Sequence, residues 1–239
     1  MTLADRVRDA PKVRGWGWSG MRTRMGDLGW SYSGVLREHI EPSDRVIDVG
    51  TGGGEVFSAV ARAGDVALDL KMEMLEVARE NLPCHLVQGD QRALPFAARS
   101  FDVVADCHCG VDPREVIRVL RTGGRYVTQR PGDRICQNIF DAFGWRTNGE
   151  FWRREAEAAG EPYWGIDECA ASYADAGCEI VLREDAYVDY EFLDEASLAF
   201  WLCNAPLPEV VDADRHSSVL ATLPLKTNWH SALLVVRVP

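Results

Sequence analysis

The chain alternates between short apolar runs and stretches of helical period. Runs rich in β-branched residues at 45–49, 65–70, 84–88, 101–106 and 124–129 predict strands buried on both faces, since such strands lose polar alternation. Apolar positions at helical spacing predict helices over 33–40, 53–63, 72–81 and 113–120. Turn signals at Gly64-Asp65, Leu82-Pro83, Asp112-Pro113 and Thr122-Gly123-Gly124 separate the elements. This alternation predicts an α/β, doubly wound, mostly parallel sheet with helices on both faces. After Pro131 the pattern loosens, and residues 135–164 show no clear period. A helix near 166–176, a strand at 178–189, helical stretches at 194–203 and 209–221, and a last strand at 231–238 complete the reading.

Composition narrows the class. With 239 residues, 46% hydrophobic and 26% charged, the chain suits one soluble globular domain with insertions. No window approaches the roughly 20 apolar residues of a membrane span, and the N-terminus lacks a signal-type apolar run. A cytoplasmic location is the expectation. The seven cysteines are scattered and without CxxC spacing, which predicts reduced thiols.

The net charge of −11 argues against a nucleic-acid partner, because phosphate binding calls for a basic footprint. One local exception is the N-terminal stretch holding Arg6, Arg8, Lys12, Arg14, Arg22 and Arg24. It reads either as a solvated amphipathic segment or as a nucleic-acid arm. The same segment carries Trp16, Trp18, Trp30 and Tyr32 among glycines. Aromatics on so pliable a backbone suit a lid over a ligand or a tail packed on the core, and both readings stay open.

The chemistry is concentrated at Arg45-Val-Ile-Asp-Val-Gly-Thr-Gly-Gly-Gly-Glu-Val-Phe57, a buried strand running into four glycines. Such a turn lets backbone approach a nucleotide where a Cβ would collide. A dinucleotide fingerprint G-x-G-x-x-G fits poorly. Read from Gly50 its third position falls on Glu55, and read from Gly52 it falls on Phe57. A carboxylate there would oppose a pyrophosphate.

Asp48-x-Gly50-x-Gly52-x-Gly54 instead resembles motif I of the class I S-adenosylmethionine (SAM)-dependent methyltransferases. Further segments agree in order. Val66-Ala-Leu-Asp69-Leu70 resembles the stretch whose acidic residue holds the ribose, and Asp69 lies 19 residues beyond Gly50, close to the spacing expected of a ribose-binding carboxylate. Gly89-Asp90-Gln91 resembles the adenine-binding segment, Ser100-Phe-Asp-Val-Val104 the fourth strand, and Arg118-Val-Leu-Arg-Thr-Gly-Gly124 the turn into the fifth, with Thr122 where proline is common. The resemblance covers about residues 40–130 and is closest to the branch of quinone C-methyltransferases and other small-molecule enzymes. It implies a seven-stranded sheet with strand 7 antiparallel and inserted beside strand 5. It also implies SAM as cofactor, held by Asp48, Gly50, Gly52, Gly54, Asp69, Leu70, Asp90, Gln91 and Asp106. As a sulfonium carrying no phosphate, SAM suits a site rich in aspartate.

The expected organisation is a single domain over 1–239. Residues 1–43 form a helical or lid segment, 44–130 the SAM-binding core, and 131–177 with 190–230 the substrate-cap insertions. The acceptor expected is a small molecule, apolar or planar: Phe140, Phe143, Trp145, Phe151, Trp152, Tyr163, Trp164, Phe192, Phe200, Trp201 and Trp229 crowd those insertions, as cap core or as substrate contacts. Beyond strand 4 stands Asp106-Cys-His-Cys-Gly110, without the proline motif of base N-methyltransferases. His108 is the general-base candidate, with cofactor contact or a purely structural role as alternatives. Cys107-His108-Cys109 lacks a distant second ligand pair, so no metal is expected. Gln129, Arg130, Asn138 and His230 are further candidates near a pocket, and His216 is isolated. Two competing functions are an RNA methyltransferase using the basic arm and a non-catalytic SAM-binding protein. The oligomeric state is not legible.

Overall fold

A computed structural model describes residues 3–15, 17–18, 20–144, 146–160, 163, 165–205 and 224–239. In chain order the strands are β1 (Thr23–Met25), β2 (Val46–Val49), β3 (Val66–Asp69), β4 (His85–Gln88), β5 (Phe101–Cys107), β6 (Leu120–Pro131), β7 (Glu179–Phe192) and β8 (Leu225–Arg237). The helices are α1 (Leu3–Asp9), α2 (Tyr32–His39), α3 (Met72–Asn81), α4 (Pro113–Val119), α5 (Gln137–Ala142), α6 (Asn148–Ala159), α7 (Ile166–Asp175) and α8 (Glu195–Asn204).

The strands form one sheet in the order β1-β7-β8-β6-β5-β2-β3-β4. Pairing is parallel from β4 through β3, β2 and β5 to β6. Beyond β6 it turns antiparallel, with β8 inserted between β6 and β7. The antiparallel seventh strand of the expected fold is therefore present as β8. The strand count is eight rather than seven, because the entry segment adds the three-residue β1 to the free edge of β7.

Every residue of β2 is buried, as its apolar run required. Ile47, Val49, Val104 and Tyr126 face α4 and α7 in one core, while Val46, Val103, Ala105 and Val127 face α2 and α3 in another. A third core joins α5, α8 and the far ends of β7 and β8. Several aromatics of the insertions, Phe140, Phe143, Phe192 and Trp201, are spent on this third core. Trp16, Trp145, Trp164, His216 and the helix expected over 209–221 lie outside the described residues.

The helix expected over 53–63 is replaced by a single 3-10 turn, Phe57–Ala59. Gly54 stands at φ +79°, so no helix propagates through it, and Val60 has already left helical geometry at φ −133°. Arg62 then takes over the anchoring. Its guanidinium donates to the carbonyls of Glu41, Pro42 and Asp44 and to the buried Asp65 carboxylate at 2.7–3.1 Å. Residues 135–164, featureless by pattern, contain α5 and α6, the latter opened by a Thr147–Glu150 capping box.

Replacing Arg62 with methionine leaves Asp65 buried without its cation. The expected loss is about 3 kcal/mol of unfolding free energy at unchanged m-value. A denaturation midpoint equal to wild type would contradict the assignment.

Candidate functional site

The chain order reverses between β2 and β5: β3 and β4 lie on one side, β5 and β6 on the other. Such switch points open a crevice at the carboxyl ends of the strands. The glycine turn leaves β2 at that end. Gly50, Gly52 and Gly54 all have positive φ, at +71°, +57° and +79°. A Cβ on Gly50 would lie 2.4 Å from the Cys109 sulfur, and one on Gly54 2.5 Å from Leu82. Gly50 and Gly54 serve both conformation and space, and Gly52 serves conformation.

Asp69 closes the neighbouring strand. One carboxylate oxygen accepts the Gly52 amide at 2.9 Å and the other the Lys71 amide at 2.9 Å. The Gly89 amide donates to the Asp69 carbonyl at 3.0 Å, which brings Asp90 and Gln91 alongside. Asp90 is held by Arg92, whose Nη2 donates at 2.7 Å and keeps the carboxyl below its usual range. Leu70, next to Asp69, is 50% exposed, an apolar side chain displayed at the mouth of the crevice.

Asp48 is buried at the end of β2. Desolvation, opposed by the Thr51 hydroxyl and reinforced by the Asp106 and Asp69 carboxylates, pushes its pKa up to about 7. Asp106 is fully buried too, but its carboxylate is crowded with donors. It accepts the amides of Cys109 at 2.8 Å, Gly110 at 3.2 Å and Val111 at 3.4 Å. The Tyr126 hydroxyl donates at 2.7 Å, and Thr128 and Arg130 lie at 3.3 and 3.4 Å. Asp106 was expected among the cofactor ligands; the fold turns its side chain into the protein instead.

His108 sits in the loop that Asp106 gathers, at φ +68°, a strained position for a non-glycine residue. Its amide donates to the Gln129 carbonyl at 2.9 Å. Its Nε2 is sealed from solvent without a hydrogen-bond partner. Burial, more than the opposing Asp106 carboxylate or the nearby Arg130, holds its pKa down to about 4. At that pKa the imidazole is neutral at physiological pH.

Other candidates fall elsewhere. His230 lies within β8, with Nδ1 accepting the Arg134 amide at 3.1 Å and Nε2 at 2.6 Å from Asp185. Asn138 is tied to the Lys226 carbonyl at 2.8 Å. Arg130 is the buried cation facing Asp106. Sequence reasoning missed two tyrosines. Tyr32, placed among the lid aromatics, is a buried residue of α2 whose hydroxyl accepts the Asp106 amide and donates to the Val127 carbonyl, each at 3.0 Å. Tyr126 belongs with Thr128 and Arg130, three polar-tipped residues at period two in a buried strand. That spacing puts them on one face and was the available signal. Among the described residues no cluster could hold a metal ion.

The entry segment packs across this end of the sheet. Val13 and Pro11 bond the Asn204 side chain at 2.9 and 3.1 Å, and Lys12 reaches the Cys203 carbonyl at 3.1 Å. Gly15 is buried over the glycine turn, where a Cβ would lie 2.2 Å from the Glu55 carboxylate and 3.2 Å from Gly53 Cα. All the basic residues of the arm are engaged internally. Arg6 pairs with Glu195, Arg8 with Asp5, Arg14 with Glu80, Arg22 with Asp194 and Arg24 with Glu191. The nucleic-acid reading of the arm thereby loses its charge argument. No described helix is long and apolar enough to cross a membrane.

Residues 46–124 match the methyltransferase domain family. Over 104 residues the chain is 44% identical to a malonyl-[acyl-carrier protein] O-methyltransferase of Erwinia pyrifoliae, covering 38% of this chain and 39% of that protein. Over 97 residues it is 38% identical to a demethylmenaquinone methyltransferase of Renibacterium salmoninarum, covering 36% and 40%. The matched stretch is thus about two fifths of these relatives' length. The structure of a candidate methyltransferase from Bacillus halodurans superimposes over 87% of this chain and 98% of its own, with TM-score 0.61 and 19% identity. Residues 46–124 thus carry a methyltransferase domain, set in a fold shared with the Bacillus halodurans structure.

Asp48 sets a pH signature for the protein without ligand. An unfolded aspartate loses its proton near about pH 3.9, and the folded one near 7. The stability it contributes is full below the first value and is lost as pH rises through the second. Between pH 5 and 8 the wild type should lose about 2–3 kcal/mol that Asp48→Asn retains. Parallel stability–pH curves for the two proteins would refute it.

Proposed function

We propose that the chain transfers a methyl group from SAM to a small-molecule acceptor at an O, N or C atom. The observation that carries this reading is the left-handed glycine turn tied through Gly52 to Asp69, with acidic rather than basic groups around it. The Glu55 carboxylate lies against Gly53, where a pyrophosphate would be repelled and a sulfonium or ammonium welcomed. The residues present fit SAM. Asp69 would meet the ribose, Leu70 and the Asp90-Gln91 segment the adenine, and the turn at 50–54 the methionyl part. Bound there, SAM supplies an electrophilic methyl group. The chain's own part is alignment, exclusion of water and proton removal where the acceptor needs it.

The small-molecule side of the proposal is supported by the pairing of the arm's cations with the chain's own carboxylates and by the relative named a demethylmenaquinone methyltransferase. His108 is assigned as the proton acceptor through Nδ1. With its pKa near 4 it is a weak base, available across the neutral range. The entry segment over Gly53 and the cap built on α5 and α8 would enclose the acceptor.

Calorimetric titration with SAM and S-adenosylhomocysteine tests the cofactor. Both should bind, and SAM affinity should climb from pH 6 to about 7 and then level, as the sulfonium favours ionised Asp48. The neutral thioether product should show a smaller slope. Failure of both to bind would sink the proposal. With labelled SAM and a panel of small-molecule acceptors, His108→Ala should lower turnover by about 10²-fold with cofactor affinity nearly unchanged. At saturating SAM the wild-type rate should hold down to about pH 5; an acidic limb at 6.5 under that condition would assign the proton to another group.

A further inference from the structure

Asp69 accepts two backbone amides, but the Asp106 carboxylate gathers amides and side-chain donors together. Three successive amides, of Cys109, Gly110 and Val111, converge on it at 2.8–3.4 Å. Tyr126, Thr128 and Arg130 close the other side, and Arg130 also donates to the Tyr126 hydroxyl at 3.1 Å. Converging amides of this kind are the anion-binding nests of turns, and here the anion is built in. The nest demands unusual backbone: His108 at φ +68° and Gly110 at φ +85°. Its product is the seating of Cys109, whose sulfur occupies the space a Gly50 side chain would need.

We propose that Asp106 is the positioning residue of the site, a buried anion that folds residues 108–111 over the first glycine of the cofactor turn and touches neither cofactor nor acceptor. The consequence for function rests on the SAM reading above; the folding of the loop does not. Asp106 acts through geometry on both halves of the site. It fixes the stretch that carries His108, and through Cys109 it braces Gly50 in its left-handed conformation. The polar stripe of β6 supplies the other donors, so the sheet register Asp106↔Thr128 is part of the device.

The chain carries its own reporters. In wild-type protein without ligand, Cys109 should alkylate slowly with iodoacetamide, as should Cys136 in the cap core and the half-buried Cys84 on the opposite face. In Asp106→Asn, site-resolved mass spectrometry should show Cys109 reacting at least about 10-fold faster, with Cys136 and Cys84 unchanged. Affinity for S-adenosylhomocysteine should fall about 10-fold in the same variant. If all three thiols accelerate together, the variant has loosened globally and Gly110→Ala decides. It keeps the anion but denies the loop its φ, and it should free Cys109 selectively. Unchanged Cys109 reactivity in either folded variant would overturn the proposal. Lost ligand affinity with Cys109 still protected would do so as well, making Asp106 a direct contact. Because the alkylation is read without ligand, it stands apart from the failure of wild-type protein to bind S-adenosylhomocysteine, which would count against the SAM reading alone.

Discussion

A sheet whose central strands are covered on both faces can offer polar groups to a ligand only at its ends. β2 is buried throughout and apolar except for Asp48 at its penultimate position, and β5 is buried from Val103 through Asp106. Everything chemical in the chain follows from that confinement. Asp48, Asp69 and Asp106 are gathered at one end of three adjacent strands, the first and last buried and Asp69 half-buried between them. Each must be handled differently. Asp69 spends its charge on two amides, Asp106 on a nest with Arg130, and Asp48, lacking a cation, favours its proton. A positively charged ligand is the partner that such an arrangement lacks.

The acid-rich composition has a second use. The basic residues of the entry segment find carboxylates on α3, β7 and α8 and fasten the segment across the site. Most of these pairs are exposed and individually weak. Their effect is collective and directional: one segment, docked between the cap and the glycine turn, with its backbone further held by Asn204.

How much of this was legible in sequence depends on how far apart the contacting residues lie. The turn at 50–54, Asp69 and the strand rhythm are local, and each could be read from a dozen neighbouring residues. α3 was placed at its observed bounds for the same reason. The missed helix at 53–63 shows where local reading fails. Its apolar spacing was real, but Gly54 and the Arg62 staple to residues 41–44 overrode it. Tyr32 fits the packed-tail reading of the entry segment, but its partners, Asp106 and Val127, lie more than seventy residues downstream and were not legible. The short β1 was invisible, since three residues acquire meaning only from the edge of β7. Asp106 was read by analogy as a ligand, whereas its role follows from Tyr126, Thr128 and Arg130 on the neighbouring strand.

The same division separates cofactor from acceptor. On the proposed reading the cofactor side draws mainly on residues 46–124, the stretch that matches the methyltransferase family. The acceptor side would draw on segments far apart in sequence: α1 against α8, β1 against β7, and residues 132–138 against the start of β8. Such contacts constrain residues only in combination, so many combinations can serve and few motifs survive. The aromatics that looked like acceptor contacts illustrate this, since packing the third core consumes Phe140, Phe143, Phe192 and Trp201 before any ligand arrives. What remains to select an acceptor is therefore polar and sparse. It centres on the neutral His108, on Gln129, which accepts from the Trp30 indole at 2.9 Å, and on the loop that Asp106 holds between them.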